Sequence, residues 1–186
     1  MSSRTRDGGS KPEEQVALVD EDGRVVGSAP RSVVRRDNLR HAATAVLVRD
    51  PDGRLYLHRR SDSKDWAPGH WDAAAGGVIA EGEEPQPSAV RELEEELGVT
   101  GVDLVGLGTH LYEDDSTRCF EHAFEVVWDG PVRHQPEEVA EGRWVTLAEL
   151  AAVLADPALA FVPDTRQLLV ALAADGVGDY AVLTDR

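Results

Sequence analysis

The spacing of apolar and polar positions along the chain changes several times, and each change marks an element. Two short runs, Val16–Val19 and Arg24–Ser28, flank Asp20-Glu-Asp-Gly23 and predict a β-hairpin. Pro30–Asn38 is charged and suits a short helix. His41–Val48 and Arg54–Arg60 predict two further strands, joined by the turn sequence Asp50-Pro-Asp-Gly53. Pro68 and Gly69 mark a loop after Ser61–Asp65, and Ala73–Ile79 is a small, glycine-containing segment leading to the next helix. That helix spans about Pro85 to Leu97. Val90, Leu93 and Leu97 recur at helical spacing, with proline near its start and Gly98 just past its end. Leu104–Tyr112 and Arg118–Trp128 predict long strands around Asp114-Asp-Ser116, and Arg143–Val145 a short one. Leu147–Ala155 and Asp164–Ala174 read as closing helices, and Asp175–Arg186 as a weakly ordered extension.

Strands and helices are mixed with no internal repeat and no low-complexity linker. The expectation is one mixed α/β domain over residues 15–175, between a flexible tail (1–14) and a C-terminal extension (176–186). A chain of 186 residues suffices for one sizeable core. At 41% hydrophobic and 29% charged the composition is that of an ordinary globular protein. No apolar run approaches the roughly 20 residues that cross a bilayer, and the first residues lack the apolar stretch of a secretory signal. A cytoplasmic enzyme without a membrane partner is expected. Cys119 is the sole cysteine, which excludes an intrachain disulfide; its expected role is a small packed side chain in a strand. The net charge of −16 argues against a nucleic-acid polymer as partner. An acidic protein acting on an anionic phosphate needs cations to offset the repulsion.

The candidate chemistry lies in Arg91-Glu92-Leu93-Glu94-Glu95-Glu96-Leu97-Gly98. On a helix, Glu92 lies three residues from Glu95 and four from Glu96, so the three carboxylates fall on one side. Left uncompensated, they repel; a hard cation turns the cluster into a binding site. By itself, a glutamate run is most often a solvated helix face. The surroundings change that estimate. From Gly77 the chain reads five residues, Glu83, seven residues, Arg91-Glu92-Leu93, one residue, Glu95-Glu96, one residue, Gly98-Val99. Nine fixed positions recur by chance in about one chain per million of this length, so coincidence is set aside.

This pattern resembles the signature of the Nudix hydrolases at every fixed position. The resemblance implies a mixed β-sheet sandwiched between helices, with a loop–helix–loop presenting carboxylates to Mg²⁺ or Mn²⁺, more than one ion once substrate is bound. It implies Glu92, Glu95 and Glu96 as metal ligands with the Gly77 carbonyl as a further one, Arg91 as an orienting ion-pair partner, and Glu83 as a support of the loop. The implied activity is hydrolysis of a diphosphate linkage in a small molecule, a nucleoside diphosphate derivative or related organic pyrophosphate. The proton acceptor stays open among Glu95, Glu96 and the acids before Trp144: Glu137, Glu138 and Glu141. Arg59 and Arg60 end a strand near the expected mouth, and alternation lets at most one reach a phosphate. His41 is expected to be structural or to support a ligand, and Trp66, Trp71 and Tyr112 to pack or to stack on a base.

Weaker similarities over roughly Val16–Leu150 point to the branch containing isopentenyl-diphosphate isomerase and its hydrolase-like relatives. The isomerases need a cysteine and a metal-binding histidine before the helix. Ala73-Ala-Ala-Gly-Gly-Val-Ile79 has neither. Isomerase chemistry is therefore the alternative reading, and a non-catalytic nucleotide-binding module a third. A homodimer built through the N-terminal hairpin remains open.

Overall fold

In the computed structural model, residues 13–184 are described. The expected flexible tail falls largely outside them. The chain opens with the hairpin β1 (Gln15–Val19) and β2 (Val25–Pro30), followed by helix α1 (Arg31–Asp37). Strand β3 (His41–Arg49) is the centre of the sheet and is buried along its whole length. It runs parallel to β8 (Arg118–Val127), in register from His41 opposite Cys119 to Arg49 opposite Val127. β7 (Val105–Glu113) lies antiparallel on the outer side of β8. On the other side, β4 (Leu55–Arg60) pairs antiparallel with β9 (Val139–Val145) and with the two-residue β5 (Trp71–Asp72), while β6 (Ala74–Ala75) pairs with β3.

A strand buried on both faces needs apolar partners above and below, and the alternation along β3 divides them. Val46 and Val48 join Leu93 and Leu97 of helix α2 (Pro85–Leu97) in one core. Ala45 and Leu47 join Leu150, Leu168 and Leu169, from helices α3 (Leu147–Ala155) and α4 (Pro163–Ala174), in another. The result is the mixed sheet between helices that the sequence leads one to expect. Helix α2 has the predicted bounds and stops at Gly98, whose φ of 66° suits glycine and whose N–H caps the Glu94 carbonyl. Helix α3 starts with a reciprocal capping box between Thr146 and Glu149.

Two expectations are corrected. The short strand at Arg143–Val145 is the end of a longer one, β9, which pairs with β4 as far back as Val139 opposite Arg60. Glu141 therefore lies within this strand. A bulge at Arg59/Arg60 and the polar run Glu141-Gly142-Arg143 hide that strand from period-2 reading. The segment after α4 is not loose either. It forms a 3-10 helix, Tyr180–Thr184, and Tyr180 is 1% exposed within the α3/α4 core. The Tyr180 hydroxyl donates to Glu125 Oε2 at 2.5 Å, which also accepts from Arg49 Nε at 2.6 Å, and the Arg49 guanidinium lies 4.5 Å from the tyrosine ring.

Removing Tyr180 leaves a cavity and one donor fewer on Glu125. Tyr180→Ala is expected to cost about 3 kcal/mol in urea unfolding, and Tyr180→Phe about 1 kcal/mol. A loss below about 0.5 kcal/mol for the alanine variant would show the segment to be dispensable.

Candidate active site

The loop from β6 into α2 is held close to the sheet. The Thr44 N–H donates to the Gly77 carbonyl at 2.9 Å. Space for a side chain at Gly77 is absent, since a Cβ there would lie 2.6 Å from the Glu92 carboxyl carbon. Glycine thus lets a backbone carbonyl and a glutamate carboxylate share one corner of the fold. Glu83, at the far end of the loop, accepts two hydrogen bonds from Arg91 (3.1 and 3.0 Å) and one from the Ala80 N–H. Arg91 also donates to Glu92 at 2.7 Å and reaches Glu95 at 3.4 Å. Arg91 thus contacts Glu83, Glu92 and Glu95 together, and Glu83 ties Arg91 to the loop at Ala80.

The three helix glutamates stand in different surroundings. Glu92 is largely buried, and burial raises its pKa against the pull of the Arg91 guanidinium. The Glu95 side chain is 52% exposed. Glu96 is 2% exposed; its Oε2 accepts from the Gly76 N–H at 3.2 Å, and its Oε1 from Lys64 Nζ at 3.3 Å. Burial pushes its pKa up to about 7, with Lys64 and Arg60 pulling the other way. Glu92 and Glu95 face a cavity of about 200 Å³, whereas Glu96 stands behind its wall. As they stand, the three carboxylates do not converge on one point. They are compensated by Arg91 and Lys64.

Basic side chains line the same cavity: Arg60 and Lys64, with Arg31 and Arg35 from α1. Arg60 Nη2 donates to the Trp66 carbonyl at 3.1 Å, and Nη1 is 3.7 Å from Asp72. Arg59 points away, donating to Glu141 at 2.8 Å and Asp62 at 3.3 Å. Alternation along β4 therefore puts one arginine of the pair in the cavity, as strand geometry requires. Of the three acids proposed ahead of Trp144, Glu138 lines the cavity and pairs with Lys64, while Glu141 is engaged by Arg59 and Glu137 does not line the cavity.

His41 lines the cavity with its Nδ1 3.0 Å from the Leu39 carbonyl, and burial lowers its pKa to about 4, leaving the ring neutral. Trp66 also lines the cavity; Trp71 packs against the α3/α4 core and Tyr112 beside Ala43 and Cys119. Sequence reading missed Lys64, Arg31 and Arg35, for which no spacing gives a signal. It also missed Glu121 and Asp164, which line the same cavity beside Cys119.

The NUDIX domain family matches residues 39–168. The chain belongs to the Nudix family. It is 46% identical to an uncharacterized Nudix hydrolase of Rhodococcus erythropolis, over 84% of this chain and 90% of that protein. It is 37% identical to the uncharacterized Nudix hydrolase YfcD of Escherichia coli K12, over 92% of this chain and 93% of that one. The crystal structure of DR0079 from Deinococcus radiodurans superposes with a TM-score of 0.72 at 28% identity, covering 83% of this chain and 96% of its own. The mixed sheet and helices are thus the Nudix fold, and the chain is a pyrophosphohydrolase of a family that acts on small molecules with divalent metal. No helix among the described residues is long and apolar enough to cross a membrane.

The burial of Glu96 has a consequence for pH dependence. Its folded pKa of about 7 lies above the ordinary 4.5, so the folded state holds a proton that the unfolded chain releases between those values. Stability from this group is therefore lost as pH rises from about 4.5 to about 7. In metal-free protein, Glu96→Gln is expected to raise the melting temperature relative to wild type at pH 8 and not at pH 4.5. A variant less stable at pH 8 than at pH 4.5, relative to wild type, would reverse the sign and sink the assignment.

Proposed function

We propose that this Nudix protein hydrolyses the diphosphate linkage of a nucleoside diphosphate derivative or a related organic pyrophosphate, with Mg²⁺ or Mn²⁺ bound at the helix glutamates. One observation carries the reading: a single cavity is lined by carboxylates of the signature helix together with Arg60 and Lys64. That mixture suits an anionic ligand which the basic groups pair with directly and the acids reach through cations.

The donors fit a hard ion. Glu92 and Glu95 offer carboxylate oxygens at the cavity, and the Gly77 carbonyl keeps a second lone pair beside its bond from Thr44. Glu96 joins the set when its oxygen is released by Lys64. Divalent ions held there, more than one once substrate is bound, would supply neutralisation of phosphate charge and acidity for an attacking water. Arg91 holds Glu92 and Glu95 in place. Arg60 and Lys64 bind the phosphate oxygens, and in doing so Lys64 leaves the carboxylates it now bridges. Water adds to phosphorus, the bridging P–O bond breaks, and the proton passes to a carboxylate at the cavity, Glu95 or Glu138, or to Glu96 just behind it.

The test is a panel of nucleoside diphosphate derivatives and other organic pyrophosphates, incubated with Mg²⁺ or Mn²⁺ and read by product mass. Release of two phosphorylated halves is expected, as is a loss of about 100-fold or more in Glu95→Gln/Glu96→Gln with an unchanged circular dichroism spectrum. Arg60→Ala is expected to raise KM about tenfold or more. Conversion of isopentenyl to dimethylallyl diphosphate, or tight binding without turnover across the panel, would replace this reading with one of its alternatives.

A further inference from the structure

Away from the signature helix, a second group of ligating atoms faces the same cavity. Cys119 and Glu121 are two residues apart on β8, so both point to the same side of the sheet, beside His41 and Ala43 of β3. Asp164 enters from the first turn of α4. The Cys119 sulfur and one carboxylate oxygen from each acid lie within 4.8 Å of one another, with Sγ 3.9 Å from Asp164 Oδ2. Among the described residues, this is the one trio of such side chains drawn so close.

All three are buried, which for two acids is costly without compensation. Asp164 Oδ1 is satisfied by the Thr165 N–H at 2.7 Å. Glu121 is less well served. It is 4% exposed, and its Oε2 receives no hydrogen bond although the side chain lines the cavity. Arg60 is 3.7 Å from Asp72, but no ion pair within 4.0 Å reaches Glu121 or Asp164. A buried oxygen with no donor, beside a second carboxylate and a thiol, is a donor set in want of a cation. Sulfur among the ligands selects against Mg²⁺ and toward a thiophilic divalent metal.

We propose that Cys119, Glu121 and Asp164 form a second metal site, specific for a transition ion such as Zn²⁺ or Co²⁺ and separate from the oxygen donors of α2. The cavity that these three residues share with Glu92 and Glu95 gives an ion its access. On binding, the thiol and any protonated carboxyl release their protons to water, and the metal takes the freed lone pairs. The site sits at the junction of β8 and α4, where a bound ion ties the sheet to the closing helix. It also places positive charge among the groups that line the cavity. This holds whether or not the substrate is the one proposed above.

Because Cys119 is the sole cysteine of the chain, one spectrum isolates the site. Full-length protein titrated with Co²⁺ is expected to develop a near-ultraviolet sulfur-to-cobalt charge-transfer band that saturates at one equivalent. Cobalt bound to the oxygen donors of α2 cannot produce it. The band is expected to persist in Glu92→Gln/Glu95→Gln, to vanish in Cys119→Ala, and to weaken with at least about tenfold lower affinity in Asp164→Asn. Cys119→Ser, which keeps the volume, is the second variant should the alanine form fold poorly. Absence of the band in wild type overturns the proposal and leaves Glu121 and Asp164 as a pair sharing a proton.

Discussion

The arrangement depends on negative charge being held where water is largely excluded. Glu96 is fixed at the end of α2 by a backbone N–H on one oxygen and an ammonium on the other, and burial keeps its pKa near 7. Around it, Arg91 pairs with Glu92 and Glu95, and Lys64 with Glu96 and Glu138. These pairs need not add stability, since desolvating both partners can cancel their attraction. Their value lies in position: each carboxylate is already at the cavity or just behind it, and a stronger cation can take the place of a basic side chain.

That constraint explains features of the fold that otherwise look unrelated. Glycine at position 77 brings the loop carbonyl against Glu92, which a methyl group would prevent. Burial of β3 on both faces lets α2 approach from one side and α4 from the other, so that acids from two helices and two strands meet around a single cavity. The C-terminal turn, through Tyr180, Glu125 and Arg49, closes the α4 side of that core. Fold and site are consequently the same packing problem seen from two ends.

What was legible in the sequence follows from range. Helix α2, its caps and the spacing of Arg91, Glu92, Glu95 and Glu96 are local, and so the chain written in order displays them. Alternation along β4 also limited Arg59 and Arg60 to at most one facing the cavity, and Arg60 is the one that lines it. Lys64, Glu121 and Asp164 were invisible because parallel pairing of β3 with β8 and docking of α4 bring them together from positions up to a hundred residues apart. Tyr180 was misjudged for the same reason: a segment this short, with two glycines, gives no period, and packing against α3 and α4 orders it. Glu96 was placed correctly along the helix, but its turn inward toward Lys64 depends on a loop that carries no pattern.

The central claim is that the glutamates of α2 hold the divalent ions of this Nudix protein. Electron paramagnetic resonance of Mn²⁺ titrated into the full chain tests it without reference to any substrate. Wild type is expected to deplete the free-Mn²⁺ signal, and Glu92→Gln/Glu95→Gln to leave it nearly undiminished under the same conditions. Equal depletion by both proteins would place the ions elsewhere and contradict the account.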